Sequence, residues 1–135
     1  MKYLIIILSF LFLNLNSIGQ ITLKIEISSL RNNKGQVFLE LIDNAGNQVA
    51  GLSKKVENNK CVFTIENLKP GKYSFKYFHD ENNNKKIDIN FIGIPKEGFG
   101  FSKNAKAIFG KPKREETIFY LKKNITLKCS PQYLL

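Results

Sequence analysis

The residues best suited to chemistry fall in one decapeptide, His79-Asp80-Glu81-Asn82-Asn83-Asn84-Lys85-Lys86-Ile87-Asp88. Asp80, Asn82, Asn84 and Asp88 take positions 1, 3, 5 and 9 of a D-x-N-x-N-x-x-x-D loop, and Lys86 at position 7 offers a backbone carbonyl. That spacing gathers hard oxygen ligands around one point, as Ca²⁺ requires. Position 6 is Lys85, where such loops take Gly for a sharp turn, and position 12 is Phe91, where a bidentate acid is expected. Two carboxylates place any Ca²⁺ affinity in the weak extracellular range, on the order of 10⁻⁴ to 10⁻³ M. Glu97 is available as a carboxylate from outside the loop. The plainer reading is an Asn-rich turn built on Asx hydrogen bonds, with no cofactor required.

His79 is the only histidine, so a Ser-His-acid hydrolase would have to use it. No G-x-S-x-G is present, and Ser102 is the nucleophile candidate. A lone His at a strand end beside Asp80 reads more simply as a structural hydrogen-bonding residue. No catalytic residue is assigned, and the expected protein is not an enzyme. The second distinctive stretch is Gly93-Ile94-Pro95-Lys96-Glu97-Gly98-Phe99-Gly100-Phe101-Ser102. Here Phe99 and Phe101, with Tyr77 and Glu97, suit a carbohydrate-stacking or protein-contact surface. The alternative is that both Phe side chains plug one end of the fold.

The elements that must carry these loops follow a period of two. In ITLKIEI, Ile21, Leu23, Ile25 and Ile27 share one face; Val37, Leu39 and Leu41 do so in the next strand, and the turn Asn32-Asn33-Lys34-Gly35 between them signals a hairpin. Leu52 to Val56 reads as a short edge strand. Cys61, Phe63 and Ile65 alternate, and then Pro70-Gly71 suits the centre of a type II turn. Tyr73, Phe75, Tyr77 and His79 share one face of the following strand. Residues 80–114 alternate little, with a helical turn expected around Asn104 to Phe109, and strands Thr117 to Leu121 and Asn124 to Cys129 close the chain. Seven or so short strands point to an all-β fold, a single antiparallel β-sandwich of immunoglobulin-like kind.

Residues 1–19 read as a signal peptide. Lys2 precedes the apolar run Tyr3 to Leu13, and the small residues Ser17 and Gly19 suit a cleavage site. That run of about 11 residues is short against the roughly 20 a spanning helix needs. The expected mature domain is residues 20–135, exported to the periplasm or beyond, and not membrane-spanning after cleavage. Its partner is expected to be an envelope protein or a glycan. The whole chain has 135 residues and a net charge of +10, with basic pairs such as Lys54-Lys55, Lys85-Lys86 and Lys122-Lys123 spread along it. Export argues against nucleic acid as the partner of this basic surface. An oxidising compartment permits a disulfide between Cys61 and Cys129, and the alternative is two buried thiols; their Cα separation decides.

These residues also resemble a known family. His79-Asp80-x-Asn82-x-Asn84 through Asp88, then Gly93-Ile94-Pro95-x-Glu97-Gly98-x-Gly100-x-Ser102, is similar to the exported bacterial family catalogued as domain of unknown function 2141. Leu30-Arg31-Asn32-x-x-Gly35-Gln36-Val37 and Leu68-x-Pro70-Gly71-x-Tyr73 match it as well. The resemblance implies a small exported β protein, its Leu68-x-Pro70-Gly71-x-Tyr73 turn being similar to those of prealbumin-like sandwiches, and carries no assigned activity.

Overall fold

The computed structural model describes residues 19–135, so the expected signal peptide lies almost wholly outside the described residues. Eight strands follow in order: β1 (Ile21–Ile27), β2 (Gln36–Asp43), β3 (Gln48–Lys55), β4 (Cys61–Leu68), β5 (Gly71–Asp80), β6 (Phe99–Phe101), β7 (Phe119–Leu121) and β8 (Ile125–Cys129). They form two sheets, one ordered β4-β1-β8 and the other β3-β2-β5-β6, with β7 also on β5. The described residues are mostly β, in line with the period of two. One pairing departs from a purely antiparallel plan: β8 runs parallel to β1, from Leu23↔Ile125 to Ile27↔Cys129.

The inward parity of the strands builds one apolar cluster that draws on both sheets. Leu23, Ile25 and Ile27 of β1, Val37 and Leu41 of β2, Phe75 of β5 and Leu121 of β7 are all essentially inaccessible. Each such aliphatic or aromatic side chain contributes about 1.5–3 kcal/mol relative to exposure. The Tyr77 hydroxyl, deep in this layer, is a buried polar atom without a hydrogen-bond partner among the described residues, and burial pushes its pKa up.

Three local expectations are corrected. Residues 28–35 do not close a hairpin, because β1 and β2 belong to different sheets and the segment carries the chain across. Gly35 is needed there for a different reason: its φ is +62°, and a Cβ would lie 1.8 Å from the Asp80 carbonyl oxygen. Pro70-Gly71 is not a type II turn centre; Gly71 already begins β5, and the left-handed residue is Asn67 at φ 60°. The Tyr73 hydroxyl anchors this corner by donating to the Lys69 carbonyl at 2.6 Å. The helical turns fall at Ser102–Asn104 and Arg114–Thr117, not at 104–109.

The possible disulfide is excluded by register. Cys61 and Cys129 both face Ile27, one from each side of β1, and both are buried free thiols. Two strand spacings separate them, roughly 9–10 Å, against a disulfide limit near 7 Å between Cα atoms. Burial pushes both thiols up to about 11, so they pack as small apolar groups.

The outer edge of β5 is shared by two short strands. β7 pairs with Gly71 to Tyr73, and β6 pairs with Lys76 to Phe78. The gap between them would strand the Phe75 N–H. The fully buried Ser102 hydroxyl fills it, accepting from Phe75 N at 3.0 Å and donating to the Thr117 carbonyl. This spends the Ser102 oxygen on the backbone. Ser102→Ala is expected to cost about 1–3 kcal/mol, the penalty of an unmade buried hydrogen bond, read as a lower denaturation midpoint with unchanged m. An unchanged midpoint would show that the gap is filled otherwise.

Candidate functional site

The loop from β5 to β6 is held by two buried carboxylates. Asp80, with no exposed surface, accepts the Asn84 N–H at Oδ1 (3.1 Å) and the Lys85 N–H at Oδ2 (2.9 Å). Glu97, 3% exposed, accepts the Glu81 N–H at Oε1 (2.9 Å) and the Asp88 N–H at Oε2 (3.0 Å). Asn82 Oδ1 accepts from Asn84 N, and Asn84 Oδ1 from Lys86 N, two successive Asx turns. The two amide groups then donate to the Asp88 carboxylate, Asn82 at Oδ2 and Asn84 at Oδ1 (2.7 Å). Every side-chain oxygen of Asp80, Asn82, Asn84 and Asp88 therefore accepts a hydrogen bond.

The structure thus brings four of the five expected loop ligands into one network, with the exposed Lys86 contributing its N–H. Glu97 staples the loop ends together, both of its oxygens accepting backbone N–H groups. Lys85 nevertheless stands at φ 65°, the left-handed conformation that a glycine at position 6 would supply. Among the described residues no three His, Cys, Asp or Glu side chains gather as a metal site.

Beside this loop lies a knot that sequence reasoning missed. Arg31 Nε and Nη2 grip both oxygens of Glu81 at 2.6 and 3.1 Å. Its remaining donors reach the Lys96 carbonyl and the Leu135 backbone oxygen, both at 2.8 Å. The guanidinium stacks 4.7 Å over the Tyr133 ring, whose hydroxyl accepts the Arg31 N–H. His79 sits under the knot with no exposed surface. Its Nε2 donates to the Lys34 carbonyl at 2.7 Å, and Nδ1 lies 3.3 Å from the Tyr133 hydroxyl. Burial pushes the Glu81 carboxyl up, but the Arg31 hydrogen bond and charge outweigh it, and the net shift is downward. The conspicuous cue was Arg31 within the Leu30-Arg31-Asn32 motif; Tyr133, in an unpatterned tail, left none.

The aromatic loop residues land on the outer face of the larger sheet. Phe99 pairs with Phe78 and Phe101 with Lys76, so both Phe side chains share the outward parity of β5, and neither plugs an end of the fold. Gly100 faces inward, where a Cβ would lie 2.3 Å from the Tyr77 ring. Phe99 and Phe101 meet edge-to-face, and Phe38 and Phe78 stack in parallel with centroids 5.3 Å apart. Over this floor the segments 87–95 and 107–111 rise as walls, enclosing a groove of about 960 Å³. Ile87, Ile94 and Pro95 line it from the first segment, Ile108 and Phe109 from the second. The expected platform of Tyr77, Phe99 and Phe101 is corrected: Tyr77 and Phe99 are buried, and only Phe101 stays partly open. Phe38 and Phe78, half-buried, line the groove beside it. Their sequence signal was two large aromatics at the outward parity of otherwise alternating strands.

The family described as "uncharacterized protein conserved in bacteria (DUF2141)" matches residues 25–128. No curated protein and no solved structure matches the chain.

Because the Glu81 carboxyl titrates lower in the fold than when unfolded, the knot's stabilisation is present above the usual carboxylate range. It is lost as pH falls through the lowered value. Glu81→Gln is therefore expected to flatten the acid limb of stability against pH while leaving the neutral-to-alkaline part parallel to wild type. An acid limb as steep as the wild type's would show that another carboxylate governs it.

Proposed function

The chain belongs to this uncharacterized bacterial family, and on that premise we propose that it is an exported, non-catalytic β-sandwich module of the cell envelope whose ligand site is the outer-face groove. One observation carries the reading: a concave, aromatic-floored groove stands on a sheet face that would otherwise present polar side chains to water. Its volume lies at the top of the range of small-molecule sites, and its few polar rim groups include Lys76, Glu40 and Lys111. The non-catalytic part is supported by the side chains that a hydrolase would need. Both His79 nitrogens and the Ser102 hydroxyl are engaged with neighbouring groups away from the groove. Carbohydrate stacking, the alternative for this face, would use Phe101 with Phe38 and Phe78.

The test uses Nile red as an apolar probe. Wild type is expected to bind it saturably near one equivalent. Phe78→Ala is expected to weaken binding about tenfold or more, since a stacked aromatic is worth about 0.5–1.5 kcal/mol beyond its buried area. Equal binding by Phe78→Ala and wild type would remove the groove as the site.

A second reading rests on the 80–88 loop. Its left-handed Lys85 and the convergence of Asn82 and Asn84 on Asp88 support a weak Ca²⁺ site. There Asp80, Asn82, Asn84, Asp88 and the Lys86 carbonyl would exchange hydrogen bonds for the cation. With about 5 mM Ca²⁺ and an affinity near 10⁻⁴ to 10⁻³ M, the stabilisation is about 1–2.5 kcal/mol. Melting of residues 20–135 in CaCl₂ against EDTA is expected to differ by several degrees, and Asp88→Asn to abolish the difference. Superimposable melting curves would leave the loop as Asx turns alone.

A further inference from the structure

Two loop tips beside the groove carry large apolar side chains in full solvent. Phe91 is 98% exposed and Ile92 64%; Ile108 is 77% and Phe109 104%. Neither tip is slack. The first is a tight turn in which Gly93 N–H donates to the Asn90 carbonyl at 3.0 Å. Asn90 Oδ1 takes the N–H groups of both Ile92 and Ile94. Phe91 and Ile92 therefore occupy the two central turn positions, where polar residues and Gly are the rule. The second tip is pinned at Ala107, whose N–H and carbonyl both bond the Gln132 side-chain amide.

The surroundings of these tips are basic. Between Lys103 and Arg114 the chain holds five basic residues, including Lys106, Lys111 and Lys113, and no acidic one. Among the described residues none of those lysines forms an ion pair. Lys85, Lys86 and Lys96 stand exposed in the other loop. Apolar tips flanked by lysines match the chemistry of an anionic lipid surface, where Phe and Ile enter the headgroup boundary while lysines meet phosphates. A second copy of this chain fits poorly, because it would bring the same basic segments face to face on a protein of net charge +10.

We propose that the groove rim, through Phe91-Ile92 and Ile108-Phe109, docks on the surface of an anionic bilayer. The docking does not depend on a ligand in the groove. Ile108 and Phe109 are shared between rim and groove, so docking brings the two into register.

The experiment is co-sedimentation of residues 20–135, which hold all eight strands and the whole core. The vesicles are equal parts phosphatidylglycerol and phosphatidylcholine, or phosphatidylcholine alone. Binding to the anionic vesicles is expected, falling about tenfold or more in Phe91→Ser/Ile92→Ser and in Lys106→Glu/Lys111→Glu. Phe91 and Ile92 do not line the groove, so that first variant is expected to keep wild-type Nile red binding and melting temperature. Failure of the docking is thereby separated from failure of the groove. Three results would overturn the proposal: no sedimentation with anionic vesicles, equal sedimentation of wild type and Phe91→Ser/Ile92→Ser, or a dimer in solution that Phe109→Ser dissolves.

Discussion

Four backbone N–H groups end on two buried carboxylates, and the long connection from β5 to β6 depends on that arrangement. A carboxylate taken out of water is costly unless charge-assisted hydrogen bonds meet it. Asp80 meets the N–H groups of Asn84 and Lys85; Glu97 meets those of Glu81 and Asp88. The 81–98 segment has no helix and no long strand, and closing it would otherwise cost chain entropy with little return. With its two ends stapled through Glu97, it becomes a wall. Its far turn is then free to present Phe91 and Ile92 to solvent.

The same wall is aimed by the edge of β5. Two short strands divide that edge, and Ser102 satisfies the N–H between them. Gly100 allows β6 to lie against the Tyr77 ring, which fixes β6 in the phase that turns Phe99 and Phe101 outward. Residues that sequence patterning suggests as chemical groups also make hydrogen bonds that hold the fold. Ser102 completes a sheet edge, Glu97 staples a loop, and His79 links the 30–35 segment to the tail. Exposed beside them are apolar side chains and lysines that form no ion pair among the described residues.

Much of the architecture was legible where burial is one-sided. Strands β1, β2 and β8 alternate along their length, and β4 and β5 over most of theirs, because each turns one face to the core. β3 ran longer than expected, from Gln48 to Lys55, since its mostly exposed residues carry little alternation. β6 was invisible: three residues with a central Gly have no period, and its strand character comes from pairing with β5. The hairpin expected at 32–35 failed for a related reason. Turn chemistry says that the chain bends, while the choice of sheet belongs to the partners of β1 and β2. The loop at 80–88 was recognised by its Asp and Asn spacing, which encodes local Asx turns. Arg31 reaches it through Glu81 from 50 residues away, and Tyr133, 102 residues from Arg31, holds that arginine.

Sequence by itself determined the inward faces, the Asx-rich loop and the family, because each is written in spacings of a few residues. Tertiary structure decided the rest: the separation of Cys61 from Cys129 across β1, the parallel pairing of β8, the capture of His79 and Ser102, and the outward turn of Phe99 and Phe101. Each depends on which strand lies beside which, and on the phase of that pairing. A shift of one residue in register reverses every side chain on a strand. Only the packed sheets select that register.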